Sequence, residues 1–199
     1  TYGKSSDYIA RQIKRWSGQF EASKTEDIPA MDALTAWLQD NMPADVNEPH
    51  NVTIAHGDFR IDNMIYGPND LTPIAVLDWE LSTIGHPLSD FAYCAMMYFT
   101  PAGARPSPGL AGLNLADEGI PSLSEFVAMY AEAAGRTSVD EINYYMAFSK
   151  FRMSAILQGV YKRSLDGNAS SRIAGQMGEL AKTFAKAGMM FADGTLRVS

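Results

Sequence analysis

The sequence lacks several features that would point to particular classes of protein. Cys94 is its only cysteine, which excludes an internal disulfide, and its apolar neighbours indicate a core position. No apolar run approaches the length of a membrane span and no secretory signal opens the chain, so we expect a cytoplasmic protein without a membrane partner. Because the net charge is −7, nucleic acid is not an expected partner either.

The hydrophobic residues make up 46% of the 199 and suffice for one domain, residues 1–199, with a sizeable core. Their spacing predicts an α+β fold that is mainly α-helical. Helical periodicity occurs in leading helices within residues 1–43, in a buried helix at 88–99, and in C-terminal helices within 122–190. Residues 100–119 are rich in proline and glycine and predict a long loop.

Two sequence pairs predict where C-terminal helices begin. Ser122 with Glu125, and Ser138 with Glu141, have the spacing of a capping box, in which each side chain bonds the backbone N–H of the other residue. The second pair should open the longest helix, at about 139–163. A last helix is predicted from about Ser170 to Met190.

The segment 52–90 holds the polar residues around which the rest of the chain is organised. Three short apolar runs flank a polar loop and a Gly-Pro-Asn-Asp turn signal, at residues 52–55, 63–66 and 74–77. The second and third runs predict a hairpin. Asn63 begins one of its strands and Asp78 follows the other, so we expect these two side chains to face each other.

The residue types at this hairpin suit a metal ion and a phosphate group. Asn63 offers a neutral oxygen and Asp78 an anionic one, the ligands that Mg²⁺ prefers. Asp58, five residues before Asn63, remains free to take a proton from an incoming hydroxyl. Phosphoryl transfer requires mainly positioning and charge neutralisation, so these three groups nearly suffice on one face.

The wording HGDFRIDN, followed by LDWE, resembles the catalytic core of the aminoglycoside phosphotransferase and choline kinase group, which is distantly related to protein kinases. The longer stretch HGDFRIDNMIY to IAVLDWELSTIGHPLSDFAY is most similar to the kinase-like domain of long acyl-CoA dehydrogenases and its bacterial relatives. The resemblance implies the C-terminal lobe of a protein-kinase-like fold. It also implies ATP as co-substrate and Mg²⁺ as cofactor, with Asp58 as catalytic base and Asn63 and Asp78 as metal ligands.

Three further residues acquire roles from the resemblance. His56 is implied to shape the catalytic loop, and Asp90 to hold that loop through backbone hydrogen bonds. Arg60 stands where protein kinases carry a lysine that contacts the transferred phosphate, whereas antibiotic kinases usually have histidine there.

The glycine-rich motifs that would cover the phosphates of a nucleotide are missing from the sequence. The sequence has no G-x-G pair and no GxxxxGK, and only about 50 mostly helical residues precede the catalytic loop. We therefore expect the N-terminal lobe to be absent and the chain to be a fragment with little or no kinase turnover. Nucleotide-binding residues are left unassigned.

The charge of the C-terminal region bears on the acceptor. Residues 138–199 hold eight basic and five acidic residues, a balance of +3, against −10 for residues 1–137. An acidic pocket would suit a polycationic aminoglycoside, so the basic balance favours an anionic hydroxylated small molecule. The resemblance points to hydroxyacyl acceptors and to a fused or separate acyl-CoA dehydrogenase as partner. The basic residues could equally be ordinary solvated helix faces.

Two other classes of function stay open. One is a kinase-like module that binds a nucleotide or ligand without transferring phosphate. The other, more distant, is a metallophosphoesterase, although Asp58 and Asp62 are one residue too far apart for its G-D-x-x-D pattern and no G-N-H follows.

Overall fold

The computed structural model describes residues 3–104, 107–168 and 174–198. It is mostly helical with small antiparallel sheets, which confirms the predicted fold class. In chain order the elements are α1 Tyr8–Ser23, α2 Pro29–Asp40, β1 Thr53–Ala55, β2 Met64–Tyr66, β3 Pro73–Val76, β4 Thr83–Gly85, α3 Pro87–Ala95, α4 Leu123–Ala133, α5 Ile142–Leu165 and α6 Met177–Ala192. Short 3₁₀ turns lie at Pro49–Asn51, Ile61–Asn63, Trp79–Leu81, Met96–Phe99 and Ala174–Gln176.

Helix α5 is the centre of the core. It packs against α1, α2, α3 and α6, so most of its circumference is buried rather than one stripe. Its largest fully buried side chains are aromatic: Tyr145, Phe148 and Phe151. Cys94 of α3 is buried, as its apolar neighbours predict.

The strands form two separate two-stranded antiparallel sheets, β1 with β4 and β2 with β3. The β2–β3 pair is the predicted hairpin. Its register pairs Met64 with Val76, so that Asn63 lies opposite Leu77, and Asp78 lies one residue further along than the sequence prediction placed it. Strand β4, Thr83–Gly85, was not predicted, because it contains a single large apolar residue, Ile84, and therefore no apolar run.

The capping predictions have different outcomes. At α4, Ser122 and Glu125 form the predicted capping box. The prediction at Ser138 is wrong: α5 begins at Ile142, three residues later than expected, so Ser138 and Glu141 do not flank its first turn as a capping box requires. The Ser138 hydroxyl instead donates to Asp140 at 2.7 Å. The predicted start of the last helix at Ser170 lies outside the described residues.

Residues of the predicted 100–119 loop contain no helix or strand where the structure describes them, apart from a single bridge between Pro101 and Ala111. Within the described ranges, no helix combines the length and apolar character needed to cross a membrane.

Candidate active site

The two small sheets bring the predicted site residues to one region. Strand β1 leads directly into His56, and the loop that follows returns at Asn63 to begin β2. Strand β3 ends just before Leu77 and Asp78. The backbone N–H of Leu77 donates to the Asn63 carbonyl at 2.8 Å, which fixes Asp78 next to the end of the loop.

Asp90, on the first turn of α3, anchors the loop. Its carboxylate accepts the backbone N–H of His56 at 2.5 Å and that of Gly57 at 2.9 Å. Burial raises the pKa of Asp90, whereas the two hydrogen bonds and the charges of His56 and Arg152 act in the opposite direction. The two bonds tie the residues that follow β1 to the start of α3.

His56 joins the loop to the end of the hairpin. Its Nδ1 accepts the backbone N–H of Asp58 at 3.2 Å, so the ring hydrogen is on Nε2, which donates to the Leu77 carbonyl at 2.7 Å. The ring also lies 4.6 Å from that of Trp79. His56 is buried, and its two ring hydrogen bonds join the loop to the residue before Asp78.

Gly57 adopts a backbone conformation that a side chain would strain. Its φ is +86°, and a Cβ placed there would lie 2.8 Å from the Leu81 carbonyl oxygen. Asp58, which follows this turn, is partly buried.

Asp58 and Asn63 are in direct contact. The amide nitrogen of Asn63 donates to the Asp58 carbonyl at 2.9 Å and to its carboxylate at 3.1 Å. Tyr93 of α3 faces the same carboxylate: burial, and then the hydrogen bond and charge of Asp58, raise the pKa of Tyr93 to about 12. The carboxylate of Asp58 therefore accepts from an amide and lies near a phenol.

Arg60 is engaged on the outer side of the loop. Its guanidinium is paired with Asp62 and hydrogen-bonded to Ser107 at 3.2 Å, in the proline-rich loop. The negative charge of Asp58 also favours the charged form of the Arg60 guanidinium. The structure thus places Arg60 near Asp58 but gives it other partners.

The groups that could hold Mg²⁺ are the Asn63 carbonyl oxygen and the Asp78 carboxylate. The amide nitrogen of Asn63 is used by Asp58, which leaves its oxygen for a cation. Asp78 has a left-handed backbone conformation, φ +64°, which aspartate tolerates better than most residues, and it is solvent-exposed. Two oxygen ligands of this kind suit Mg²⁺, which usually keeps waters and binds substrate phosphates as well.

Large apolar side chains surround this site and are exposed. We call them the exposed hairpin residues: Ile54, Ile61, Ile65, Ile74, Leu77, Trp79 and Leu81. Trp79 is 48% exposed and Ile74 65%, although both lie beside the polar loop. Two concavities of about 320 and 420 Å³ lie elsewhere, one between α1 and α2 and one around Arg136, and neither includes Asp58, Asn63 or Asp78.

Four of the basic residues of the C-terminal region are buried or paired with carboxylates, whereas Arg163, Lys186 and Arg197 are exposed. Lys150 and Arg152 are 3% and 8% exposed and belong to the interior. Lys182 is paired with Glu26 and Glu179, both at 2.8 Å. Lys162 is paired with Asp166, and Arg172 lies outside the described residues. The charge balance of this region therefore gives no support for an anionic acceptor.

Sequence reasoning missed two groups that contact the site's framework, one buried and one partly buried. Arg152 reaches the loop from α5, and Tyr93 faces Asp58 from α3. His86, before α3, accepts the backbone N–H of Leu88 and contacts the Tyr145 hydroxyl at 2.9 Å. Of these, only His86 carried a local signal, its position before a proline in a turn.

The mainly helical fold with small antiparallel sheets matches that of kinase-like phosphotransferases. Comparison with known proteins agrees: residues 1–126 match the model of the phosphotransferase enzyme family, APH. The chain belongs to this family.

Individual relatives extend the likeness to nearly the whole chain. Acyl-CoA dehydrogenase family member 10 of Mus musculus is 44% identical over 192 residues, and family member 11 of Homo sapiens is 40% identical over 196 residues. They cover 96% and 98% of this chain, which spans 18% and 24% of their lengths. A crystal structure of a candidate aminoglycoside phosphotransferase from Ralstonia eutropha JMP134 is 42% identical, with a TM-score of 0.88, covering 97% of this chain and 57% of its own.

Proposed function

We propose that this chain carries the catalytic loop and metal ligands of an enzyme that transfers the ATP γ-phosphoryl group to a hydroxyl of a small molecule. The observation that carries the proposal is the joint placement of Asp58 and Asn63 in contact, with Asp78 next to the residue that pairs with Asn63. Family membership supports phosphoryl transfer as the type of reaction.

Each residue has a defined task in this proposal. The Asp58 carboxylate, restrained by Asn63 and Tyr93, orients the acceptor hydroxyl and takes its proton as the acceptor oxygen bonds the γ-phosphorus and the bond from that phosphorus to the bridging oxygen breaks, releasing ADP. Asn63 and Asp78 hold Mg²⁺, which supplies charge neutralisation on the phosphate oxygens. Arg60, once released from its ion pair with Asp62, contacts the phosphoryl group during its transfer.

The acceptor that we propose is a hydroxyacyl-type molecule. The support is that two similar proteins are named as members of the acyl-CoA dehydrogenase family. A dehydrogenase, fused or separate, is accordingly the partner that we propose. The crystal structure from Ralstonia eutropha is named for aminoglycosides, and its name gives the competing acceptor class.

We propose that a nucleotide lobe lies outside these residues. The chain spans 57% of the similar crystal structure, and the exposed hairpin residues present apolar surface around the loop. A covering lobe would bury that surface and form the second wall of the nucleotide pocket. The 199 residues alone should then show little or no turnover, and robust ATP-dependent phosphorylation by them would refute this part.

Two substitutions in the full natural polypeptide test the site. Asp58→Asn should lower kcat by at least about 100-fold with little change in Mg·ATP affinity, because it removes the proton acceptor. Asp78→Asn should weaken Mg·ATP binding itself. Asp70→Asn is the control: it lies on the same hairpin, and asparagine retains the acceptor for the Thr72 N–H.

The same experiment separates the alternatives. Near-normal rates in both variants would refute the assignment. A wild-type protein that binds Mg·ATP but transfers no phosphate to water or to any hydroxylated acceptor would instead favour a non-catalytic kinase-like module. Acceptor panels with hydroxyacyl-CoA and aminoglycosides decide the substrate class.

A further inference from the structure

We propose that Arg152 is a positioning residue that holds the Gly57–Asp58 peptide and thereby sets the orientation of Asp58. The inference rests on the proposed function and deepens it, because it adds a residue on a distant helix to the machinery around the base.

Arg152 projects from the middle of α5 and is 8% exposed. Its guanidinium Nη2 donates to the Gly57 carbonyl, across 95 positions of sequence. The guanidinium carbon lies 5.5 Å from the Trp16 ring and 5.3 Å from the Tyr93 ring. A planar cation between two aromatic rings is restrained in orientation as well as in position.

The bond to Gly57 completes the restraint of a single peptide group. The carbonyl of the Gly57–Asp58 peptide accepts from Arg152, and its N–H, which belongs to Asp58, donates to His56 Nδ1. The preceding peptide donates its N–H to Asp90. Rotation of the Gly57–Asp58 peptide would break both of its hydrogen bonds, so Arg152 restrains the backbone at Asp58.

A second route joins Arg152 to the base through Tyr93. The ring of Tyr93 packs against the guanidinium, and its hydroxyl faces the Asp58 carboxylate. Removal of the guanidinium would therefore loosen both the peptide before Asp58 and a group that contacts its carboxylate.

The simpler explanation is that Arg152 is a buried cation that only stabilises the core. Its Nε has no hydrogen-bond partner among the described residues, so the side chain is not satisfied as an ordinary structural arginine would be. The bond that it does make is to the loop of the site. A neighbouring residue allows the two explanations to be separated.

Lys150 is the matched control. It is a buried cation two residues away on the same helix, 3% exposed, and it lies over the Phe184 ring at 4.8 Å instead of contacting the loop. Lys150→Met should alter the stability of the core and leave the loop unchanged. Arg152→Met removes a cation of similar burial and also removes the bond to Gly57.

The experiment measures kinetics and amide hydrogen exchange of the full natural polypeptide for Arg152→Met, Arg152→Lys and Lys150→Met. We expect Arg152→Met to lower kcat by roughly 10- to 100-fold with a change of less than about twofold in KM for ATP. The Asp58 amide should exchange on the order of tenfold faster. Arg152→Lys, which can still donate to Gly57, should recover part of both effects, and Lys150→Met should show neither.

The positioning role of Arg152 and the proposed phosphotransferase function are contradicted by different results. If kcat and exchange at Asp58 are the same in Arg152→Met as in Lys150→Met, Arg152 does not position the base. If Arg152→Met does not fold, Arg152→Gln decides, because its shorter neutral side chain loses the reach of the guanidinium to Gly57: wild-type exchange at Asp58 together with wild-type kcat in that variant overturns the inference. If the wild-type protein transfers no phosphate, the proposed function fails, and the exchange measurement alone still tests the hold on the loop.

Discussion

The sharpest structural prediction concerns a methyl group added at Gly57. Gly57→Ala should destabilise the fold and also misplace the residue that follows it, Asp58. Two effects combine at this position: the backbone has a positive φ of +86°, and the new Cβ would lie 2.8 Å from a backbone carbonyl oxygen that cannot rotate away.

The expected magnitude can be worked out from these two effects. A positive φ costs an alanine roughly 1–2 kcal/mol, partly offset by about 0.4–1 kcal/mol from the reduced freedom of the unfolded chain. Forcing an extra carbon into a filled space adds about 1–3 kcal/mol. We therefore expect Gly57→Ala to lower the free energy of unfolding by about 2–4 kcal/mol.

A second glycine isolates the backbone effect. Gly112 has a φ of +91° with nothing within 4 Å of the added Cβ, so Gly112→Ala should cost only about 1 kcal/mol. Urea unfolding of the 199-residue chain, followed by tryptophan fluorescence, measures both variants. In the full polypeptide, kcat of Gly57→Ala should fall by roughly 100-fold. Equal destabilisation of the two variants, with turnover retained, would refute the reasoning.

Three further results are expected. Burial first, and then the charge of Arg136, lowers the pKa of His86 to about 4. Stability from the neutral ring is therefore present above the unfolded pKa near 6.5 and is lost as the pH falls toward 4, by about 3 kcal/mol, and His86→Asn should flatten this part of the curve. An unchanged curve would contradict the buried neutral ring. Ser122→Ala should lower the free energy of unfolding by about 0.5–2 kcal/mol through loss of the α4 cap, and a neutral effect would contradict the capping box. Ile74→Thr should reduce self-association of the 199-residue chain in sedimentation, since Ile74 is 65% exposed; an unchanged profile would count against apolar contacts there.

Local spacing carried most of what the sequence could predict about the site. Asp58 and Asn63 are five residues apart on one loop, and Asp78 follows a strand that pairs with the strand after Asn63, so a hairpin suffices to bring them near each other. The prediction erred by one residue in register, because hairpin pairing depends on the turn, and the pair shows an irregularity between Ile65 and Tyr66.

Long-range packing determined what the sequence could not show. The Arg152 side chain contacts Gly57 only because α5 crosses behind the loop, and no local pattern distinguishes it from Lys162 on the same helix. From the sequence, Arg152 was counted in the basic balance that favoured an anionic acceptor, but its side chain lies in the interior. The capping prediction at Ser138 was wrong because α5 begins only at Ile142, and the Ser138 hydroxyl donates to the nearby Asp140.

The most direct test of the account is the position of the metal. The full natural polypeptide, crystallised with an ATP analogue and Mn²⁺ in place of Mg²⁺, would show the ion by its anomalous scattering. We expect the ion within about 2.0–2.3 Å of the Asn63 carbonyl oxygen and an Asp78 carboxylate oxygen, with Asp58 unliganded and facing the terminal phosphate. An ion bound to other residues, or Asp58 among its ligands, would contradict the assignment.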